Sequence, residues 1–162
     1  MGVLSRDYAL SVPEPALTTL WRVMIPFGNS VTHLLAESVT LTWLKVPTEP
    51  VFSGGKHVYF PGMAEVDGLA ITFYETHDYQ VSKWLENWQM LVYNVDSGVY
   101  GVPAQFKKEI TVNLFSKVST KPIKIVTYNG CWPTDKGPYE LNYQEETGRI
   151  VIQAQFAVDK VK

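Results

Sequence analysis

The chain has 162 residues, of which 46% are hydrophobic and 19% charged, with a formal net charge of −2. This composition is typical of one globular domain that buries a full core, and it excludes an intrinsically disordered chain. The pI near 5.9 argues against a basic nucleic-acid-binding surface. Because no apolar run approaches the ~20 residues of a membrane helix, we expect no membrane insertion by this chain.

The first part of the chain predicts an irregular arm followed by two strands. Two prolines near the end of residues 1–16 favour an extended arm there. Residues 18–27 and 31–43 are rich in β-branched and apolar residues, and the Gly-Asn-Ser sequence at 28–30 predicts the turn between them.

Residues 45–62 predict a projecting β-hairpin or long loop with residues 53–56 at its tip. The segment combines three prolines and three glycines with several large apolar side chains. Exposing so much apolar surface without a partner is costly, so we expect this segment to contact another subunit. A self-packed Ω-loop is the alternative. The candidate contact residues are Val51, Phe52, Lys56, Val58, Tyr59 and Phe60.

The middle of the chain predicts a strand over 69–75 and one helix over 78–94. Thr76–Asp78 should provide the N-cap and an acidic first turn. The apolar residues recur with helical spacing, so this helix should flank the sheet, with Trp84 and Trp88 in the core. The predicted apolar face consists of Val81, Trp84, Leu85, Trp88, Leu91 and Val92.

The last third of the chain predicts further strands and a Trp-bearing turn. Strands are expected over 105–117 and 123–129, and a turn over 130–138. Residues 139–143 and 149–158 should then form a closing hairpin. The structural residues of the predicted turn are Gly130, Trp132 and Pro133, with core or interface roles open for the last two.

The residues that could carry catalysis form no recognisable motif. Cys131 is the only cysteine, and the three histidines (His33, His57 and His77) are scattered, so a structural cysteine is favoured over a nucleophile. Gly54–Lys56 lacks the rest of a phosphate-binding loop. We therefore predict no enzymatic activity, no cofactor and no metal site.

Several sequence blocks carry a resemblance to a known family. With the chain length, they resemble the tail tube protein family of contractile-tailed, T4-like bacteriophages, over roughly residues 17–160. The Gly-x-Trp-Pro-Thr sequence and the strand–helix block with Trp-Gln are the more specific matches. The blocks are residues 67–78 running into Trp84 and Trp88, then residues 104–108, 130–134 and 156–159.

The resemblance implies a fold and a mechanical function. The implied fold is mainly β: two packed antiparallel sheets in a barrel-like tail-tube domain over 1–162, with a flanking helix and a long projecting hairpin. Homo-hexameric rings would stack into a hollow tube inside a contractile sheath. The implied partners are the sheath, the baseplate or tube initiator, the tail terminator and the tape-measure protein, and genomic double-stranded DNA would pass through the lumen without specific binding.

The same resemblance places the protein in the virion, after assembly in the host cytoplasm. Because every side chain recurs around each ring, we expect an acidic or neutral lumen, with most lysines elsewhere. A tube initiator or baseplate adaptor, a type VI secretion tube protein and another contractile-injection tube protein are rivals with the same fold. A β-sandwich ligand-binding module or hydrolase is the rival from another class.

Overall fold

A computed structural model of the chain describes residues 16–27, 35–144 and 148–162. The arm predicted over 1–16, apart from Ala16, therefore lies outside the described residues. The same holds for the turn predicted at 28–30 and for residues 145–147 at the tip of the predicted closing hairpin.

The described chain is mainly β, with 47% strand and 13% helix, which confirms the predicted fold class. The helices are α1 (Gln80–Val92) and the short α2 (Pro103–Phe106). The strands are β1 (Trp21–Met24), β2 (Ala36–Thr40), β3 (Leu44–Lys45), β4 (Thr48–Ser53), β5 (Lys56–Pro61), β6 (Glu65–Val66), β7 (Leu69–Tyr74), β8 (Tyr93–Asn94), β9 (Val99–Tyr100), β10 (Lys108–Leu114), β11 (Lys124–Lys136), β12 (Val151–Ala157) and β13 (Lys160–Val161).

One antiparallel sheet contains seven of these strands, in the order β1-β10-β11-β12-β7-β2, with β13 beside β11. The long strand β11 joins two parts of the sheet. Its first residues pair with β10 and β13, and its last residues pair with β12. We call β1, β10, β13 and residues 124–129 the β10 half, and β2, β7, β12 and residues 132–136 the β12 half. Strands β1 and β2 end the order, so the described strands do not close into a barrel.

The core is built from the alternating side chains of both halves. In β7, Leu69, Ile71 and Phe73 are fully buried, and the residues between them face the other way. Helix α1 covers this apolar face: the Trp84 ring lies 5.5 Å from Phe73, and Trp88 lies 5.5 Å from Phe156. The indole nitrogens of Trp84 and Trp88 donate to backbone oxygens at 2.7 Å, so both rings are buried with their polar atoms satisfied.

Helix α1 begins differently from the prediction. Its N-cap is Tyr79, in a left-handed conformation, and its first turn has no acidic residue. The carboxylate of Glu75, at the end of β7, accepts the backbone N–H groups of Val81 and Ser82 at 3.0 Å. Glu75 therefore caps the helix together with Thr76, whose hydroxyl oxygen accepts the Gln80 backbone N–H at 3.2 Å, so the predicted cap is confirmed for Thr76 and the predicted acidic first turn is wrong. Leu91, predicted on the buried face, is 39% exposed.

The turn predicted over 130–138 is wrong: Gly130, Trp132 and Pro133 lie inside the 13-residue strand β11. Gly130, at φ +69°, bends the strand where pairing with β10 ends and pairing with β12 begins. Pro133 is tolerated because, among the described strands, this part of β11 pairs with β12 alone, so its missing N–H breaks no second ladder.

The remaining differences concern the lengths and partners of strands. Residues 139–143 are not a strand, and β12 pairs with β11 and β7 instead of forming a separate closing hairpin. The strand predicted over 31–43 ends at Thr40. The strand predicted over 105–117 begins at Lys108, because Pro103 starts the short helix α2 before it.

Candidate assembly surfaces

The side chains with catalytic potential are dispersed or buried. Cys131 is fully buried, and its thiol donates a hydrogen bond to the Tyr128 carbonyl oxygen at 3.2 Å. Burial raises the pKa of this thiol to about 12, so it stays protonated near neutral pH. Across residues 16–27, 35–144 and 148–162, no three His, Cys, Asp or Glu side chains come together as metal ligands. In the same part of the chain, no helix is long and apolar enough to cross a membrane.

The clearest unusual surface is the hairpin of β4 and β5, which we call the arm hairpin. Its two strands pair from Thr48↔Pro61 to Ser53↔Lys56, and Gly54 and Gly55 form the turn with φ values of +60° and +75°. Both glycines occupy backbone conformations that other residues rarely adopt, as in tight hairpin turns. Every residue of the two strands is exposed.

The register of the arm hairpin distributes the predicted contact residues over two faces. Val51 pairs with Val58, and Phe60, two residues further along β5, shares their face. Phe52 and Tyr59 lie on the opposite face, with Phe52 and Tyr59 exposed at 69% and 65%. Both faces are thus apolar and uncovered. A hairpin that served only its own chain would bury one of them.

The root of the arm hairpin is fixed to the core. The Tyr128 hydroxyl, on β11, donates to the Thr42 carbonyl oxygen at 2.7 Å and accepts the Thr42 backbone N–H at 3.0 Å. Strands β3 and β6 pair just beyond this point. The arm hairpin therefore leaves the domain at a defined place, at the end of β7 that begins with Leu69.

The second surface is the face of the β12 half that points away from the core. Its residues are small or uncharged, and strands β2, β7 and β12 place no lysine or arginine among them. Asp135 of β11, paired with Gln155, adds one negative charge. At the edge of this face, Arg149 lies over the Tyr74 ring and pairs with Glu37 at 2.8 Å. The residues are Ser38, Thr40, Ala70, Thr72, Tyr74, Val151, Gln153 and Gln155.

The outward face of the β10 half is different in charge. Arg22 pairs with Asn113, and Lys160 pairs with Asn129, so both cations project on the face away from the core. Glu109 is the acidic residue of β10. The two halves of one sheet thus present a neutral-to-acidic surface and a surface that carries cations.

A third surface, missed in the sequence, lies where α1 ends. Trp132 packs edge-on against Phe106 at 6.0 Å and forms one wall of a depression of about 420 Å³. Tyr93 and Val95 line the other side. Pro133, the neighbour of Trp132, is buried opposite Phe156. The sequence placed Trp132 in a turn, which hid its position beside the helix.

Comparisons with known proteins agree on the fold. No protein-family model matches the chain, and no curated protein matches it by sequence. Several solved structures, however, superimpose on this chain. A chain of the anti-feeding prophage tube-terminating cap superimposes with a TM-score of 0.73 at 16% identity, over 94% of this chain and 92% of that one.

Two chains of another assembly are similar. One comes from the PVC sheath/tube terminator of an extracellular contractile injection system, with a TM-score of 0.70 and 16% identity over 94% of this chain and 98% of that one. The other comes from the PVC sheath–tube complex, with a TM-score of 0.69 and 15% identity over 99% and 97%. The chain therefore has the fold of tube and tube-terminator proteins of contractile injection systems.

Proposed function

We propose that this protein is a structural subunit of the tube of a contractile tail, in which hexameric rings stack into a hollow conduit. The fold of tube and terminator subunits supports this proposal. The observation that carries it is the neutral-to-acidic outward face of the β12 half, because this is the surface chemistry that a conduit needs.

The reason is repetition. In a ring of identical subunits each lumen-facing cation would recur in every copy and again in every ring, and phosphate groups of passing DNA would bind such an array. Hydroxyl and amide side chains such as Thr72, Gln153 and Gln155 offer no fixed positive charge. We therefore assign the outward face of the β12 half to the lumen. The cation-bearing outward face of the β10 half then lies away from the lumen.

The sheet also has the edges that such a ring requires. Strands β1 and β2 end the strand order, and each has one described neighbour. An unpaired edge is a site for pairing with another chain. Pairing of β1 in one copy with β2 in the next would join the sheets of neighbouring copies into one continuous wall and would remove the exposed edges.

The arm hairpin provides the contact between rings. The candidate residues Val51, Phe52, Lys56, Val58, Tyr59 and Phe60 are all exposed, and the apolar ones cover both faces. Burying them against a neighbouring ring would remove this surface from water. Phe52 and Tyr59, as large aromatic residues, are the anchors we expect to contribute most.

The finer assignment is a bacteriophage tail tube that conducts DNA during ejection. In it the protein is a non-enzymatic virion component, with the sheath, baseplate or tube initiator, tail terminator and tape-measure protein as partners. An extracellular injection particle would use the same subunit architecture, as its solved tube and terminator assemblies support.

A tube terminator is the second candidate. The tube-terminating cap superimposes at least as well as the chain from the sheath–tube complex, with TM-scores of 0.73 and 0.69. A terminator makes one ring at the end of a tube, whereas the major subunit makes a stack.

Negative-stain electron microscopy of the purified protein tests the proposal. Long hollow tubes with sixfold end views support the major subunit, single rings support a terminator or initiator, and monomers at high concentration refute both. Deleting residues 52–56 should abolish stacking while the circular dichroism spectrum keeps its β signal. Tubes of normal length from the deletion variant would refute the role of the arm hairpin.

A further inference from the structure

Two described segments between β11 and β12 line a groove that the proposed function does not use. Segments 140–143 and 148–150 line a depression of about 560 Å³. Leu141 is 74% exposed and Tyr143 is fully exposed, so the groove presents apolar side chains to solvent. Glu140 and Arg149 add one charge of each sign. Apolar side chains that are exposed together beside a depression form a patch that a partner can cover.

This groove and the arm hairpin lie at opposite ends of the same two strands. Strand β7 begins at Leu69, where the arm hairpin returns to the sheet, and ends at Tyr74. Tyr74 pairs with Val151, the first residue of β12, and the Glu75 N–H donates to the Ile150 carbonyl oxygen at 2.9 Å. A six-residue strand spans roughly 20 Å, so the two features are separated by the height of the sheet.

The two features also match in chemistry. The tip of the arm hairpin presents the aromatic residue Phe52, and Lys56, which follows the two glycines of the turn, lies on the opposite face. The groove presents apolar walls from Leu141 and Tyr143, with the carboxylate of Glu140 exposed beside them. A depression of this volume is within the range that accommodates aromatic side chains.

We propose that the tip of the arm hairpin of one copy docks into the groove formed by segments 140–143 and 148–150 of the next copy. Phe52, beside the turn, then packs against Leu141 and Tyr143, and Lys56, on the opposite face of the tip, contacts Glu140. This inference rests on the proposed stacking of rings and names the surface that receives the hairpin.

The arrangement explains why stacking continues. Since hairpin and groove are different surfaces at opposite ends of one chain, the contact is heterologous and does not close on itself. Each added copy presents a new groove or a new hairpin tip, according to the end at which it adds. A hairpin-to-hairpin contact would instead be symmetric and would stop at pairs of rings.

Cysteine cross-linking tests the contact, because the native Cys131 is fully buried and gives little background. A variant with both Lys56→Cys and Leu141→Cys, assembled and treated with a short bismaleimide, should give a covalent ladder on a denaturing gel. Neither single variant should cross-link, and an equal mixture of the two should give covalent dimers only. The matched control pairs Lys56→Cys with Lys83→Cys, on the exposed side of α1, and should give no ladder.

Two results would overturn the inference. One is cross-linking of the Lys56→Cys variant with itself. The other is the absence of a ladder from the double-cysteine variant when electron microscopy of the same sample shows tubes. In that case the proposed function stands and only the receiving surface is wrong. If the unmodified protein forms neither tubes nor rings, the proposed function itself fails.

Charge reversal gives a second test that does not need cysteines. Lys56→Glu and Glu140→Lys should each raise the protein concentration needed for assembly about tenfold, because like charges then meet in the contact. The double variant should restore assembly. A double variant that assembles no better than either single variant would contradict the pairing of Lys56 with Glu140.

Discussion

Strands β7 and β5 each have six residues, but they differ in how much of their apolar surface is buried. In β7 every second side chain is buried, so the strand stabilises its own domain through Leu69, Ile71 and Phe73. In β5 all six side chains are exposed, although Val58, Tyr59 and Phe60 are as apolar as those of β7. Apolar side chains thus contribute to folding in β7 and, on the proposal above, to assembly in β5. A variant in each strand should separate the two effects.

The largest expected effect comes from the core strand. Phe73→Ala should lower the free energy of unfolding by about 3–5 kcal/mol, because it removes a fully buried ring that packs on Trp84. Phe60→Ala, the matched change in β5, should alter it by less than about 0.5 kcal/mol and should weaken assembly instead, because Phe60 is exposed. Urea denaturation of the unassembled protein measures both values. Equal losses of stability would contradict the division between the two strands.

A second comparison concerns two glycines with similar backbone angles, one in the sheet and one in the arm hairpin. A Cβ at Gly130 would collide with the Asp159 carboxylate, whose Cγ would lie 2.6 Å away, so Gly130→Ala should cost about 1–3 kcal/mol. A Cβ at Gly54 would meet nothing within 4 Å, so Gly54→Ala should cost only about 1 kcal/mol from backbone strain. Thermal unfolding followed by circular dichroism compares the two. A larger loss at Gly54 would contradict this assignment of the bend.

The start of α1 offers a third comparison, between the cap that the structure has and the one expected from the sequence. Glu75→Ala should lower the free energy of unfolding by about 1–2 kcal/mol, because three backbone N–H groups and the Ser82 hydroxyl lose their acceptor. Asp78→Ala should leave the unfolding midpoint unchanged, since Asp78 is exposed and its contacts are with Thr76 and Gln80. The reverse order of effects would show that Asp78 contributes more to the cap than Glu75.

The smallest effect is a pH dependence in the core, with none expected from the arm hairpin. Burial raises the pKa of Cys131 from 9.0 to about 12, and burial also raises the pKa of Tyr128. The stability that these groups confer is complete below pH 9 and declines as pH rises towards the folded-state pKa. At pH 10 the loss from Cys131 should be about 1 kcal/mol.

The control for this pH dependence is Cys131→Ala, in which the decline between pH 9 and 10 should become shallower. The native thiol should also resist a thiol-specific reagent at pH 8 and should react once the protein is unfolded in urea. Rapid labelling of the folded protein would contradict its burial.

Elements whose sequence pattern is local could be predicted from the sequence. Features that depend on contacts with residues distant in the chain could not. The periodicity of Val81, Trp84, Leu85 and Trp88 indicated α1 to within two residues at each end. The Gly-Gly turn and flanking apolar residues indicated the arm hairpin. Both patterns are complete within the segment that forms the element, so a single sequence is sufficient to find them.

The turn prediction for Gly130–Pro133 is wrong because the conformation of this run depends on residues that are distant in the sequence. Glycine and proline together usually mark a turn. Here glycine is needed because Asp159 approaches the backbone, and proline is tolerated because β10 has already ended. The acceptor role of Glu75 was hidden for a similar reason, since it acts on residues six and seven positions ahead. The neutral-to-acidic outward face of the β12 half could be recognised only when the register joined β2, β7 and β12.

The Tyr128 hydroxyl has a mechanical consequence. It holds both backbone groups of Thr42, the point at which the chain leaves the core for the arm hairpin. A pulling force on the arm hairpin would be transmitted through these two hydrogen bonds to β11, the strand shared by both halves of the sheet. The force would therefore not separate β2 from the edge of the sheet. Tension between neighbouring copies would then be carried by the interior of each domain, which suits a component that must resist stretching along its axis.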